Sequence, residues 1–240
     1  MAVFFLSDAH LGAEDKKHEK IKLDRLIAFL EMVRSEGEKL YILGDLFDFW
    51  FEYKMAIPKQ HLRIVFKLAG LVEDGIPIHY ITGNHDFWLG DYLAEEVGLI
   101  IHRDSLETIE DNQKLFLIHG DGLSPSDWKY RVFVRATLRN RLAIWLYRLI
   151  PPDWGLSLAK AVSSSSRNHT SGRENEFIKD YEIYAEKKLA EGYDAVIIGH
   201  THVPVFKQFD RGVYLNTGDF YHNFSYGKLD GGKLTLERYA

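Results

Sequence analysis

Lys39-Leu-Tyr-Ile-Leu-Gly-Asp45 carries an apolar run, Leu40 to Leu43, that stops at a glycine and delivers an acid at once. A strand buried on both faces reads this way, and the turn after it is where a polar side chain is placed. Working outward, the same pattern recurs four times. Val3 to Leu6 runs into Asp8-Ala-His10, and Ile78 to Thr82 into Gly83-Asn-His-Asp86. Lys114 to Ile118 runs into His119-Gly-Asp121, and Ala195 to Ile198 into Gly199-His-Thr-His202, while Val213 to Asn216 reads as one more strand. Between the early strands lie two amphipathic helices, one presenting Leu23, Leu26, Ile27, Leu30 and Val33, the other Leu62, Val65, Phe66 and Ala69. Strands alternating with helices predict an α/β layered fold.

After Ile118 the pattern changes. Trp128 to Ile150 reads as helix, Pro151-Pro152 stops it, Ser163 to Ser166 and the polar residues up to Gly172 read as a loop, and Phe177, Tyr181, Tyr184 and Ala185 mark a later helix. The expected organisation is a core of 1–122 and 191–240 interrupted by a helical cap insertion at 123–190. At 240 residues and 46% apolar the chain is long and hydrophobic enough to bury a full core. Having no cysteine, it has no thiolate metal site and no thiol nucleophile. The N-terminus has neither a basic start nor a cleavage signal, and no apolar run is long enough to cross a bilayer, which predicts a cytoplasmic protein. The formal charge is −5, but Leu123 to Thr170 holds eight basic residues against two acidic ones, so that stretch is +6 and the remainder −11. The acidic remainder argues against nucleic acid as a partner.

The five strand-end motifs carry the chemistry. In open α/β sheets, sites assemble beyond the carboxyl ends of the strands. A lone Asp-x-His is ordinarily a capped turn, and Asn with Gly is what turns require anyway, but five such motifs in one chain bring seven metal-competent side chains together: Asp8, His10, Asp45, Asn84, His119, His200 and His202. Imidazole, carboxylate and amide oxygen suit manganese, iron or zinc, whereas magnesium prefers oxygen alone. Seven such donors predict two divalent cations, manganese first, with Asp45 as the shared ligand; a pair of this kind activates water near neutral pH and clamps phosphoryl oxygens. The glycines before Asp45, Asn84 and His200 allow turns that a side chain would obstruct. Asp86 and Asp121 are expected to orient the motif histidines, and His18, His61, His79, His102, His169 and His222 to be surface or core residues.

Taken in order, Asp-x-His, Gly-Asp, Gly-Asn-His-Asp, His-Gly-Asp and Gly-His-Thr-His resemble the calcineurin-like metallophosphoesterases across nearly the whole chain. The resemblance implies a four-layer αββα sandwich of two mixed sheets. It also implies one metal held by Asp8, His10, Asp45 and His202 and a second by Asp45, Asn84, His119 and His200, with His85 against the scissile phosphate assisting the leaving group. Within the superfamily, Ser7-Asp-Ala-His-Leu-Gly12, Tyr41 to Trp50 and His119-Gly-Asp-Gly-Leu123 are most similar to the UDP-2,3-diacylglucosamine pyrophosphatases of lipid A biosynthesis. In that branch the insertion caps the acyl chains, which implies substrate contacts at Asp127, Tyr130 and Arg167 beside Asn84 and His85. Many members of the branch have Gly-Asn-Arg-Asp where this chain has Gly-Asn-His-Asp.

The implied activity is hydrolysis of a lipid-linked nucleotide, UDP-2,3-diacylglucosamine, to UMP and 2,3-diacylglucosamine 1-phosphate. The enzyme would sit peripherally at the inner face of the cytoplasmic membrane. Arg131, Arg135, Arg139 and Arg141 would meet anionic headgroups, and Val132, Phe133, Trp145, Leu146 and Leu149 would meet acyl chains. Two alternatives stay open: a nucleotide pyrophosphatase or phosphodiesterase of other substrate, and a scaffold that has lost catalysis. Against the scaffold, all eight positions, the seven donors and His85, are filled.

Overall fold

The computed structural model describes residues 1–125, 128, 132, 137, 140–170 and 174–240, without the side chains of 160–161, 164–170 and 174–176. Among the described residues, β1 (Ala2–Leu6), β2 (Gly37–Leu43), β3 (Ile78–Ile81) and β4 (Ile100–His102) run parallel in one sheet. The hairpin β10 (Ser225–Asp230) and β11 (Lys233–Arg238) joins that sheet antiparallel beside β1. The second sheet has the order β5-β6-β7-β9-β8. In it β6 (Gln113–Ile118), β7 (Ala195–Ile198) and β9 (Gly212–Asn216) are parallel, and β5 (Ser105–Glu110) and β8 (Val205–Phe209) are antiparallel edges.

The period of two along each strand builds the layers. Val3, Phe5, Tyr41, Leu43 and Ile81 pack between the sheets against Leu115, Leu117, Ala195, Ile197 and Leu215. Their neighbours Phe4, Leu6, Leu40, Ile42 and Tyr80 pack on the other side, against Leu26, Phe29, Leu30 and Val33 of α1 (Lys16–Glu36) and Ile64, Val65 and Leu68 of α2 (Leu62–Glu73). Asp15 starts α1 by accepting from the backbone N–H groups of Lys17 (2.8 Å) and His18 (3.1 Å). A short helix, α3 (Tyr92–Glu95), precedes β4. The outer face of the second sheet, Phe116, Val196, Ile198 and Tyr214, is covered by Phe177, Tyr181, Ala185 and Leu189 of α6 (Glu174–Ala190). The result is the expected four-layer αββα sandwich of two mixed sheets.

Several expectations change. Five strands, β4, β5, β8, β10 and β11, were not legible: β4 is three residues long, β5, β8 and β11 are half exposed, and β10, though mostly buried, reads Ser-Tyr-Gly-Lys-Leu-Asp with little apolar content. Phe66 is 67% exposed, because α2 buries Ile64, Val65, Leu68 and Leu71. Within 128–150 the structure describes a separate short helix, α4 (Arg141–Tyr147), opened by the Asn140 side chain. Pro152 then starts a helix as well as ending the stretch before it, since its missing N–H costs nothing at a first helical position. The resulting α5 (Pro152–Thr170) contains Ser163 to Ser166, which the sequence reading made a loop. Finally α6, expected within the insertion, is a structural layer: burying Phe177, Tyr181 and Leu189 stabilises the fold by roughly 1.5–3 kcal/mol each.

Candidate metal centre

The loops after β1, β2, β3, β6 and β7 are tied into one rim. Asp8 N–H donates to Gly44 O (3.1 Å), His10 N–H to Asp45 O (2.9 Å), and Gly199 N–H to His119 O (3.0 Å). Two further bonds link the sheets: His200 N–H to Asp8 Oδ2 (2.8 Å) and His119 Nδ1 to Leu43 O (2.7 Å). Asp8, His10, Asp45, His200 and His202 all have φ between 43° and 68°. Each such non-glycine residue costs of order 1–3 kcal/mol and persists only where its surroundings over-determine it, as at functional sites. Gly83 is needed for contact rather than φ: a Cβ there would lie 2.1 Å from Asp45 Oδ1.

Around His119 Nε2 the structure gathers Asn84 Oδ1 (3.1 Å), His200 Nδ1 (3.2 Å) and Asp45 Oδ2 (3.3 Å). Since Leu43 O only accepts, His119 Nδ1 carries a hydrogen, and Nε2 is the ring atom turned toward three electron-rich atoms. Beside this group, His10 Nε2 lies 3.0 Å from His202 Nε2, 3.6 Å from Asp8 Oδ1 and 3.8 Å from the same Asp45 Oδ2. His202 Nε2 is 3.3 Å from Asp8 Oδ1, a buried atom without a hydrogen bond. Donors around one cation with bonds of about 2.0–2.2 Å sit roughly 3.0–3.5 Å apart. The arrangement repels itself unless positive charge lies inside it, so the residues fit a pair of cations, with Asp45 reaching both groups. A third set, His10, Asp48 and His85, shares His10 with the group of Asp8 and His202.

The electrostatics carry the same demand for cations. Burial would raise Asp8 and Asp45, but the surrounding imidazoles hold both below the usual carboxylate range. Burial likewise opposes charge on His10, yet the carboxylates of Asp48 and Asp8 close beside it push it up to about 9, and Asp45 with Asp8 and Asp121 holds His119 well above its ordinary value. Burial and the His119 charge push His200 down to about 3. The buried cation nearby, Lys22, is engaged by the His10 carbonyl (2.6 Å) and Glu19 (3.1 Å). Protons on His10 and His119 therefore stand where metal charge belongs. Metal uptake is expected to release protons, and apparent affinity to rise with pH toward about 9. Calorimetric titration with manganese in buffers of different ionisation heat reads this; a binding heat independent of the buffer would contradict it.

Residues 1–204 match the calcineurin-like phosphoesterase family. The chain belongs to the calcineurin-like phosphoesterases. It is 36% identical to a UDP-2,3-diacylglucosamine hydrolase from Porphyromonas gingivalis over 98% of this chain and 96% of that one. It is 32% identical to a UDP-2,3-diacylglucosamine hydrolase from Nitrosococcus oceani over 87% and 82%. Among solved structures, one described as a novel archaeal phosphodiesterase shares the fold, with a TM-score of 0.51 at 18% identity over 99% of each chain. Family and donor clusters together make the chain a metal-dependent hydrolase.

The structure of this calcineurin-like phosphoesterase brings all seven strand-end donors together and sets His85 beside them. The His85 N–H donates to Asp45 Oδ1 (2.9 Å), and its ring meets the His10 ring edge-on at 4.6 Å. Asp86 does not orient a histidine ring: it accepts from the Tyr80 hydroxyl and from Gly83 N–H (2.9 Å), fixing the turn that carries Asn84. Asp121 acts on His119 through its charge. His61 is buried against Phe47 and Trp50, as a core histidine is, and His79 stacks with His102. Asp127, Tyr130, Arg131, Phe133, Arg135 and Arg139 lie outside the described residues, and Arg167 falls on α5 without a described side chain.

Sequence reasoning missed three supports. The Ser7 hydroxyl donates to Asp8 Oδ2 and lies 2.6 Å from Thr217 Oγ1. The Tyr221 hydroxyl is 3.2 Å from His202 Nδ1. Asp48 lies 3.7 Å from His10 Nδ1 and 3.5 Å from His85 Nδ1. Only Asp48 was signalled, as the second acid of Gly44-Asp-Leu-Phe-Asp48.

Proposed function

We propose that the chain hydrolyses the pyrophosphate of UDP-2,3-diacylglucosamine, releasing UMP and 2,3-diacylglucosamine 1-phosphate. The observation that carries this reading is the near end-to-end similarity to the Porphyromonas gingivalis hydrolase of that substrate. In this reading Asp8, His10, Asp45 and His202 hold one cation and Asp45, Asn84, His119 and His200 the other, manganese being the first candidate. The cations supply Lewis acidity toward phosphoryl oxygen and make water acidic enough to act as nucleophile near neutral pH. The protein's own part is placement. His119 Nδ1, tied to Leu43 O, keeps Nε2 turned inward. His85 Nδ1 is occupied by Asp48 O at 3.0 Å, so Nε2 is the atom left to meet the leaving phosphate oxygen and give it a proton. Water adds to phosphorus and gives up a proton, and the P–O bond of the pyrophosphate breaks. His85, carrying a hydrogen on each ring nitrogen, passes the one on Nε2 to the departing phosphate and is restored by the proton that water released.

The substrate-selecting cap is the part of the 123–190 insertion that precedes α6, and α6 completes the core of 1–122 and 191–240. Its described surface carries Trp145, Leu146 and Leu149 exposed beside Arg141 and Arg148, and Trp154 and Leu158 beyond them, a face suited to acyl chains and an anionic membrane. Among the described residues no helix is long and apolar enough to cross a membrane. The proposed location is therefore peripheral, at the inner face of the cytoplasmic membrane. Asp127, Tyr130 and Arg167 are the proposed further substrate contacts.

The test compares UDP-2,3-diacylglucosamine with UDP-glucose and a small chromogenic phosphodiester, identifying products by mass spectrometry. The lipid nucleotide is expected to give UMP and the lipid phosphate and to be strongly preferred, since each buried methylene contributes about 0.8 kcal/mol. Replacing Trp145 and Leu149 by Asp should reduce kcat/KM on the lipid nucleotide while sparing the chromogenic ester. Equal rates on UDP-glucose would favour a nucleotide pyrophosphatase, the reading that His85 in place of the branch's usual Arg keeps in view.

A further inference from the structure

The cap helix α5 reaches the metal centre. Ser163 opens the polar run that the sequence suggests is a loop, yet it is buried, and its hydroxyl donates to Asp48 Oδ1 at 2.6 Å. The same oxygen is 3.1 Å from His85 Nδ1. Hydrogen-bond accounting assigns the protons. The Asp48 carbonyl, 3.0 Å from His85 Nδ1, can only accept, so Nδ1 carries the hydrogen. The single Ser163 hydrogen goes to the Asp48 carboxylate, which leaves an oxygen lone pair facing Nδ1–H. Asp48 is thus held from three directions, by Ser163, by His85 and by its approach to His10.

The seat of α5 lies on the same two loops. Gly155 O accepts from the Tyr147 hydroxyl at 2.6 Å, and Gly155 sits so close that a Cβ would fall 2.4 Å from the Tyr53 hydroxyl. Tyr147 packs on Phe51 (4.6 Å) and Phe49 (5.8 Å), which follow Asp48, and on Trp88 (4.8 Å), which follows His85. The cap therefore grips the loops that carry Asp48 and His85 as well as contacting those residues directly.

We propose that Ser163 and Asp48 are positioning residues through which the inserted helix sets the ring of His85, so that the cap fixes the geometry of the reaction as well as the substrate. The proposal rests on the functional reading above only for the role of His85.

The test uses the full-length, metal-loaded protein with bis(p-nitrophenyl) phosphate, which is too small to need the cap's apolar face. Ser163→Ala and Asp48→Asn are expected to lower kcat by roughly 10–100-fold, the usual effect of losing a partner that orients a site residue. KM and metal content should change little. Ser163→Thr keeps the hydroxyl and should restore most of the rate. Nitrogen-15 NMR of the metal-free protein supplies a second readout: in the parent the His85 ring should show a protonated Nδ1, and in Ser163→Ala a mixture of tautomers. Parental kcat with unchanged His85 resonances in Ser163→Ala would overturn the proposal. So would equal losses in the Ala and Thr variants, or loss of metal in Ser163→Ala, which would make Ser163 a packing residue. A parent without hydrolytic activity would sink the functional reading alone, because the resonances would still decide the positioning role.

Discussion

Asp45→Ala is expected to reduce hydrolysis to background and to cost the protein more metal than replacing any one of His10, His119, His200 or His202. Asp45 Oδ2 is the atom within reach of both donor groups, 3.3 Å from His119 Nε2 and 3.8 Å from His10 Nε2. In the proposed centre the alanine variant would take a ligand from both cations at once. Asp45 Oδ1 also accepts the His85 N–H, so the loop that carries Asn84 and His85 loses its tie as well. Elemental analysis of the purified variants beside their turnover measures the effect. A variant that kept the parental metal content and near-normal turnover would remove Asp45 from the shared position.

His85→Ala is expected to leave metal content unchanged and to slow turnover by roughly 10²- to 10⁴-fold, the range for a group that donates or stabilises a proton in the transition state. The argument is geometric. His85 Nδ1 is engaged by the Asp48 carbonyl and faces Ser163. The ring therefore has Nε2 as its remaining nitrogen and lies edge-on to the His10 ring at 4.6 Å, and the seven donors already form two groups without it. Metal loss on this substitution would place His85 among the ligands instead, through the set it forms with His10 and Asp48.

The strand-end donors were legible because each follows a run apolar on both faces, and a parallel strand must end where its loop can leave the sheet. Both the central strands and the ligands they carry could be read from one pattern. Tyr221 and Ser7 were not, since their roles depend on which loops the topology brings together. Tyr221 follows β9 and reaches a histidine that follows β7. The edge strands were missed for a related reason: β5, with every second residue half-buried, has too little contrast to stand out beside the buried centre.

The cap was legible in composition and not in shape. A run of four serines has weak helix propensity and reads locally as a loop. The helix through Ser163 is held instead by tertiary contacts: Ser163 on Asp48, Ala159 buried, and Gly155 against Tyr147 and Tyr53. The placement of α6 was hidden because an amphipathic helix does not announce which sheet it covers, and Phe177, Tyr181, Ala185 and Leu189 prove to face the second sheet. Excising the whole insertion, 123–190, would therefore strip a core layer, whereas substitutions on its exposed face or at Ser163 leave that layer in place.

Anomalous diffraction from crystals grown with manganese measures directly whether two cations share Asp45. Two peaks are expected, one among Asp8, His10 and His202 and one among Asn84, His119 and His200, with Asp45 in contact with both. A single peak, or two with Asp45 bound to only one, would contradict that sharing.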